Sequence, residues 1–179
     1  MKIEELIKNR VSQKQYNDKD VDIEMIKKML NIAVYAPNHK MREPWGFVLL
    51  NQNGKLVFKK RYEESLKPEV KELVDKTLEK IYKAPLILIV TMYKNKDIDE
   101  EIEDIQANAA MIQNFMLLSE DCGLSTHWKT PDFMKTDKFK DALGLEIDEI
   151  VTGILMVGYT DDKNKPKNRT NIEEFLRIY

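Results

Sequence analysis

The sequence predicts a single domain of the α/β or α+β class, in which helices and strands alternate along the chain. The chain has 179 residues, a length typical of one domain. Hydrophobic residues make up 42% of it and charged residues 34%, as in a globular protein with a substantial core. Helical and strand patterns are interleaved, and no repeat, low-complexity tract or linker interrupts them. We therefore expect residues 1–179 to form one domain with about four or five strands.

The first half of the chain predicts four helices and one strand. Asp22 is a typical helix N-cap, and apolar residues recur after it with helical spacing. Two prolines in the loop at 36–44 end that helix. In chain order, the expected elements are a short helix at 3–10, an extended polar segment at 11–21, a helix from Asp22 to about Tyr35, a strand at 45–51, a turn at Asn53-Gly54, and charged amphipathic helices near 55–65 and 69–82.

The second half predicts two buried strands and a long helix between them. The segments at 85–93 and 150–159 are apolar on both faces, which indicates central strands. The helix at about 98–121 is apolar on most sides in its second half, so we expect burial in the core or under a partner subunit. Gly123 ends this helix, and an extended stretch follows it. The tail after 159 is polar and has an amphipathic end.

The composition disfavours nucleic acids, membranes and metals as partners. The net charge is −2 with both signs mixed, so the chain has no overall attraction to nucleic acid or to an anionic membrane. Its apolar stretches are too short to span a bilayer, and its N-terminus lacks the apolar run of a signal peptide. A lone Cys122 with His39 and His127 does not form a zinc pattern. We expect a cytoplasmic protein without a metal site.

Two basic segments at opposite ends of the chain are candidate anion sites. Arg10, Ser12 and Lys14 alternate, so in an extended segment their side chains share one face. Two cations and a hydroxyl suit a phosphate or another anion. Lys167 and Arg169 repeat the spacing in the tail. Each pattern is also typical of a solvated basic surface, and no sequence rule brings the two ends together.

Two loops carry further candidates. Asn38 and His39 precede a strand that opens with Trp45, and such side chains can hydrogen-bond the edge of a heterocycle. Turn formation and surface solvation are the simpler explanation of both residues. After Gly123, the extended stretch offers backbone N–H groups around Trp128 and Lys129. These two residues are alternatively a core aromatic and a surface charge.

Taken together, these motifs resemble the FMN-dependent nitroreductase family, and its small, compact branch in particular, over nearly the whole chain. The order and spacing of the motifs carry the resemblance, because each of them alone is weak. The matching residues are Arg10, Ser12 and Lys14; Ala36, Pro37 and Asn38 with Pro44, Trp45 and Phe47; Gln113, Asn114, Leu117, Gly123, Leu124 and Trp128; Val157, Gly158 and Tyr159; and Lys167 and Arg169.

The resemblance implies an α+β fold with a central, mostly antiparallel sheet flanked by helices, and a long buried helix at a homodimer interface. Two FMN sites would be shared between the subunits, with Lys167 and Arg169 at the phosphate and the 37–39 loop coming from the other subunit. A backbone N–H between Trp128 and Thr130 would lie near N5 of the ring. The residues assigned to FMN in this way are Arg10, Val11, Ser12, Lys14, Pro37, Asn38, His39, Trp128, Lys129, Thr130, Lys167 and Arg169.

The implied activity is an FMN-dependent oxidoreductase that takes hydride from NAD(P)H and reduces nitroaromatics, quinones or related small acceptors. No catalytic side chain is expected, because the chemistry takes place on FMN. Two alternatives stay open: a dimeric flavin-binding module for storage or sensing, and other flavin chemistry such as dehydrogenation or dehalogenation. The chain departs from the family pattern at Val11, Lys14, Met41 and Glu43. Lys14 keeps the positive charge of an arginine but loses its bidentate geometry.

Overall fold

The computed structural model describes residues 2–179, apart from the side chains of Val70 and Leu73. Six α-helices and four strands form within that range. The helices are α1 (Ile3–Asn9), α2 (Ile23–Ala33), α3 (Gln52–Ser65), α4 (Pro68–Ile81), α5 (Ile98–Asp121) and α6 (Asp137–Leu143). The strands are β1 (Gly46–Leu50), β2 (Leu86–Tyr93), β3 (Ser125–Lys129) and β4 (Glu149–Gly158), and short 3-10 helices lie at His39–Met41, Asp132–Lys135 and Ile172–Glu174.

The four strands form one antiparallel sheet in the order β1-β2-β4-β3. This confirms the α+β class and the predicted central positions of β2 and β4. Every side chain of β2 except Tyr93 is buried, because helices cover both faces of the sheet. β3 is paired through its whole length with β4 and forms the edge of the sheet next to the N-terminal segment.

Alternation along the central strands divides the core into two halves. Leu86, Leu88 and Val90 of β2 face α2 and α5, whereas Ile87 and Ile89 face α3, α4 and α6. The first half also contains Phe115 and the second contains a ring cluster. In that cluster Phe139 packs 5.1 Å from Phe58 and 5.4 Å from Tyr62 between ring centroids. Each half of the core thus fixes one layer of helices on the sheet.

The structure differs from the sequence prediction in three local details, of which the first was a wrong prediction. Asn53 and Gly54 do not form a separate turn, because the side chain of Asn51 accepts a 2.9 Å hydrogen bond from the Gly54 N–H and starts α3 there. The helix α6 was not predicted; Thr136 caps it and Gly144 ends it in a left-handed conformation. The amphipathic end of the tail gives only the short 3-10 helix Ile172–Glu174, and its residues are exposed.

The long helix α5 spans 24 residues, as the sequence predicted. Asp97 caps its start, and Gly123 follows its end with a φ of 76°. One face of α5 packs into the core, but Ile98, Ile102 and Ile105 are exposed on another face of the chain. The structure therefore leaves part of an apolar helix uncovered. Within the described residues, no helix is long and apolar enough to cross a membrane.

Candidate functional site

The two ends of the chain meet beside β3. The N-terminal segment runs next to this strand, with Ser12 bridging Thr126 and the Gln13 N–H donating to the Thr126 carbonyl at 3.1 Å. Asn164 of the tail then holds the N-terminal segment. Its backbone N–H donates to the Gln13 Oε1 at 3.2 Å, and its side chain donates to the Ser12 carbonyl at 2.9 Å. These bonds bring both predicted basic segments to one place.

A cavity of about 560 Å³ lies where the two segments meet. It is lined by Arg10, Val11, Ser12, Lys14, His127, Asn164, Lys165, Lys167 and Arg169. Six of the predicted site residues line it, and they come from both ends of the chain. We call it the basic cavity.

The charged side chains that line the basic cavity are all positive. Five of its lining side chains are cations, and none is a carboxylate. Within residues 2–179, no ion pair joins any of these five cations to an acidic residue. Unpaired cations around one concave surface raise the local positive potential and favour an anionic ligand.

The pKa directions of two side chains on β3 reflect this potential. Burial lowers the pKa of Lys129, and the positive charges of Lys14 and Lys80 lower it further. Burial also lowers the pKa of His127, and the charges of Lys129 and Lys14 act in the same direction, against a hydrogen bond with the Gln13 carbonyl. Both shifts disfavour the protonated form while no anion is bound.

Trp128 lies on the opposite face of β3 from His127 and Lys129. Its indole packs with the core half under α5, and its Nε1 is buried without a hydrogen-bond partner among the described residues. Gly153 of β4 lies so close to this ring that any β-carbon there would meet Nε1. Any contact of Trp128 with a ligand on the His127 side of β3 would therefore come from its backbone.

Thr130 lines a second cavity, of about 510 Å³, at the end of β3. Its other lining residues are mainly apolar or basic: Ile105, Met134, Ile150, Val151, Lys94, Lys135 and Lys140, with Asp137 and Thr152. We call it the apolar cavity. Its volume and its mainly apolar lining are those of a cavity large enough for a single ring.

The predicted loop residues Pro37, Asn38 and His39 do not line the basic cavity. Their loop is nevertheless well fixed. The Asn38 Oδ1 accepts from the Glu43 N–H at 3.0 Å, and the Arg42 Nε donates to the buried Asp104 carboxylate of α5 at 2.8 Å. Pro37 and His39 are exposed at the tip of this fixed loop, available to another molecule.

The model of the nitroreductase family matches residues 7–159. The chain belongs to the nitroreductase family. The fold agrees, because the crystal structure of a nitroreductase-like family protein from Bacillus cereus superimposes with a TM-score of 0.90 at 30% identity, over 100% of this chain and 96% of that one.

Other members of the family are similar over nearly their full length. A protein of Bacillus subtilis (strain 168) assigned as an NAD(P)H nitroreductase, YfhC, is 27% identical over 96% of this chain and 91% of its own. The nitroreductase NfnB from sphigopyxis sp. strain HMH, described as FMN and NADPH-dependent, has the same fold with a TM-score of 0.80 at 17% identity, over 100% of this chain and 99% of that one.

One residue that lines the basic cavity was missed by sequence reasoning. His127 was considered only as a metal ligand, but the structure places it on the wall of the basic cavity. The signal available in the sequence was the alternation of His127 with Lys129 on one strand. That alternation places both side chains on one face of β3. Only the pairing of β3 with the N-terminal segment shows that this face lies beside the cations of the basic cavity.

Proposed function

We propose that this chain is an FMN-dependent oxidoreductase that takes hydride from NAD(P)H and reduces nitroaromatic, quinone or related small acceptors. The observation that carries the proposal is the basic cavity, where unpaired cations from both ends of the chain face one space. The names of NfnB, for FMN and NADPH, and of YfhC, for NAD(P)H, support the same cofactors.

The residues of the basic cavity fit a phosphomonoester such as that of FMN. Arg10, Lys167 and Arg169 supply charge-assisted donors, and Ser12 adds a hydroxyl. Arg169 already donates to the Lys167 carbonyl at 2.8 Å, which shapes the tail around the cavity. An anion there would replace the repulsion among the cations by ion pairs.

When bound, FMN supplies hydride-transfer chemistry, and the protein supplies binding, orientation and electrostatics. Lys14 and Lys129 lie close enough for their charges to interact, on the side of β3 that faces the N-terminal segment. Their positive charge would stabilise negative charge that develops nearby during reduction. Backbone N–H groups from Trp128 to Thr130 would orient the ring, so this mechanism needs no acid or base from the protein.

We further propose that two copies of the chain share the FMN sites. The exposed isoleucines of α5 and the fixed, exposed tip at Pro37–His39 support this arrangement. A second subunit would cover the apolar face of α5 and could bring its own loop tip to the ring. The apolar cavity beside Thr130 would then be available to the acceptor.

The experiment that tests the proposal is the visible absorption spectrum of the purified protein, before and after anaerobic addition of NADPH or NADH. We expect a flavin spectrum that bleaches with one of the two donors. A flavin spectrum that resists both donors would instead support a binding module without turnover. Protein that contains no flavin and does not bind added FMN would refute the proposal.

A further inference from the structure

His127 occupies a defined position in the basic cavity. It pairs with Met156 across β3 and β4, so its side chain lies on the same face as Lys129 and opposite to Trp128. The ring is half-buried and lines the cavity together with the cations. Neither the family motifs nor the proposed function assigns a role to it.

A hydrogen bond of the His127 ring determines its tautomer. The His127 Nδ1 lies 3.1 Å from the backbone carbonyl of Gln13, and a carbonyl can only accept. The Nδ1 therefore carries a hydrogen. In the neutral ring, Nε2 is then an acceptor, and the one side-chain hydrogen bond of His127 among the described residues is the one from Nδ1. A second proton on Nε2 would turn it into a donor.

Gln13, whose carbonyl accepts from His127, is itself held by two other residues. The Tyr16 hydroxyl donates to the Gln13 carbonyl at 2.9 Å, and also lies 3.4 Å from the Met156 carbonyl. The Gln13 side chain is buried and accepts from the Asn164 N–H. The imidazole is thus held in one orientation by the same bonds that join the two ends of the chain.

The charged groups facing His127 are all cationic. Lys129 comes from its own strand, with Lys80 of α4 beyond it, and Lys14 comes from the N-terminal segment. The remaining cations that line the cavity are Arg10, Lys165, Lys167 and Arg169, and the one other titratable neighbour on the Gln13 carbonyl is the neutral Tyr16. Burial and the charges of Lys129 and Lys14 hold the pKa of His127 below its usual value, against the opposing effect of the Gln13 hydrogen bond, so the neutral ring is favoured at neutral pH while no anion is bound.

A bound phosphate dianion reverses this balance. It places up to about two negative charges among the cations. An opposite charge within a few ångströms of the imidazole favours its protonated form, whereas the neighbouring lysines disfavour it. Protonated Nε2 can then donate to the anion, while Nδ1 keeps its bond to Gln13.

We propose that His127 is a proton-coupled binding residue: it takes up one proton from solvent when a phosphomonoester enters the basic cavity, and donates through Nε2 to that group. The inference rests on the proposed function, which supplies FMN as the phosphomonoester. Binding of FMN would consequently be linked to pH, and would become weaker as pH rises.

Calorimetric titration of FMN into the flavin-free protein at pH 7.5, in two buffers with different ionisation enthalpies, measures the protons taken up. At this pH FMN itself takes up few protons, because the second pKa of its phosphate is about 6. We expect uptake of up to about one proton, and a Kd that rises by up to about tenfold per pH unit over the linked range. Riboflavin, which lacks the phosphate, should bind without proton uptake.

Three variants separate the titration of His127 from its hydrogen bonding and from the total charge of the cavity. His127→Asn can keep the donor to Gln13, and His127→Gln can keep a donor at the position of Nε2, but neither side chain titrates. Both should bind FMN without proton uptake at pH 7.5, and the Kd of His127→Gln should be independent of pH from 7 to 8, where FMN itself keeps its charge. Lys165→Gln removes a cation from the same cavity, so it should bind more weakly and still take up the proton.

Two results would overturn the proposal: wild-type protein that takes up no proton with FMN, or His127→Asn that takes up as many as the wild type. Protein that binds no FMN would refute the proposed function separately. The His127 assignment would then be decided by NMR of the imidazole Cε1–H with inorganic phosphate, since the chain has only two histidines and the variant assigns the resonance. A His127 pKa that phosphate does not raise would reject it.

Discussion

Glu120 at the end of α5 and Lys163 in the tail form an ion pair of 2.7 Å. The Glu120 side chain is only 8% exposed, so the carboxylate is a nearly buried anchor for a segment that is otherwise exposed. Asn164, the next residue, makes the two hydrogen bonds that attach the tail to Ser12 and Gln13. The position of the cavity cations Lys167 and Arg169 thus depends on contacts made a few residues earlier.

Glu120→Gln should therefore weaken FMN binding although Glu120 does not line the basic cavity. The substitution keeps the side-chain volume but removes the charge that holds Lys163. A loss of about 0.5–1.5 kcal/mol corresponds to about a two- to tenfold rise in the Kd for FMN, measured by flavin fluorescence. Glu4→Gln is the matched control, because Glu4 pairs with Lys8 at 2.6 Å on the exposed surface of α1. Equal affinities for both variants would argue against a role for the anchor.

Arg10→Ala should weaken FMN binding far more than riboflavin binding. Arg10 lines the basic cavity and has no acidic partner in the described structure, so its donors are free for a phosphate. Loss of a hydrogen bond to a charged group costs about 1.5–3 kcal/mol, or about 10- to 150-fold in Kd.

Parallel titrations of FMN and riboflavin, followed by fluorescence, separate this contribution from contacts with the ring. Lys8→Ala removes a nearby cation that is exposed on α1, and should leave both affinities unchanged. The phosphate role of Arg10 fails if both ligands lose affinity equally, or if neither does.

The central elements of the fold were predictable because each has its own periodic signal. β2 is apolar on both faces, and α2 and α5 carry caps and apolar spacing that need no knowledge of the rest of the chain. The Asn53-Gly54 error came from turn chemistry that also serves a helix start, since Asn51 caps α3 through the Gly54 N–H. At that position, the sequence alone does not distinguish the two uses of an Asn-Gly pair.

The candidate site was predictable in its residue types but not in its assembly. Alternation gives Arg10, Ser12 and Lys14 a shared face and recurs at Lys167 and Arg169, and the family resemblance implied that both segments bind one ligand. The joining contacts are long-range: Asn164 reaches back to Ser12 and Gln13 across about 150 residues of chain. No local pattern encodes such contacts, so His127 was not recognised as a member of the site.

Gly153→Ala should destabilise the protein through Trp128. A β-carbon at Gly153 would meet the indole Nε1, and the ring is confined by the core half under α5. Overpacking of this kind costs about 1–3 kcal/mol in the free energy of unfolding, measured by urea denaturation. Intrinsic tryptophan fluorescence should shift as the ring moves.

Gly54→Ala is the contrasting control. Its β-carbon would make only ordinary contacts, the nearest at 3.4 Å to the Asn51 side chain, and the position lies in the first turn of α3. We expect a neutral effect or a gain of up to about 1 kcal/mol. Destabilisation by Gly54→Ala that equals that of Gly153→Ala would mean that the contact with Trp128 is not the cause.

Ile102→Glu should disrupt the proposed homodimer. Ile98, Ile102 and Ile105 are 67%, 48% and 43% exposed on α5, and a partner subunit would bury them. A carboxylate at Ile102 would then have to be desolvated at the interface without a partner, which is strongly unfavourable. Sedimentation should show a shift towards monomer, together with weaker FMN binding, because the loop at Pro37–His39 would no longer reach the neighbouring site.

Ile147→Glu provides the control, because Ile147 is 87% exposed in the loop between α6 and β4 and is not part of the apolar face of α5. It should sediment as the wild type does and bind FMN equally well. If Ile102→Glu remains dimeric with unchanged FMN affinity, the apolar face of α5 is not the interface. If it becomes monomeric and still binds FMN as tightly as the wild type, each subunit holds a complete site and the shared-site arrangement is wrong.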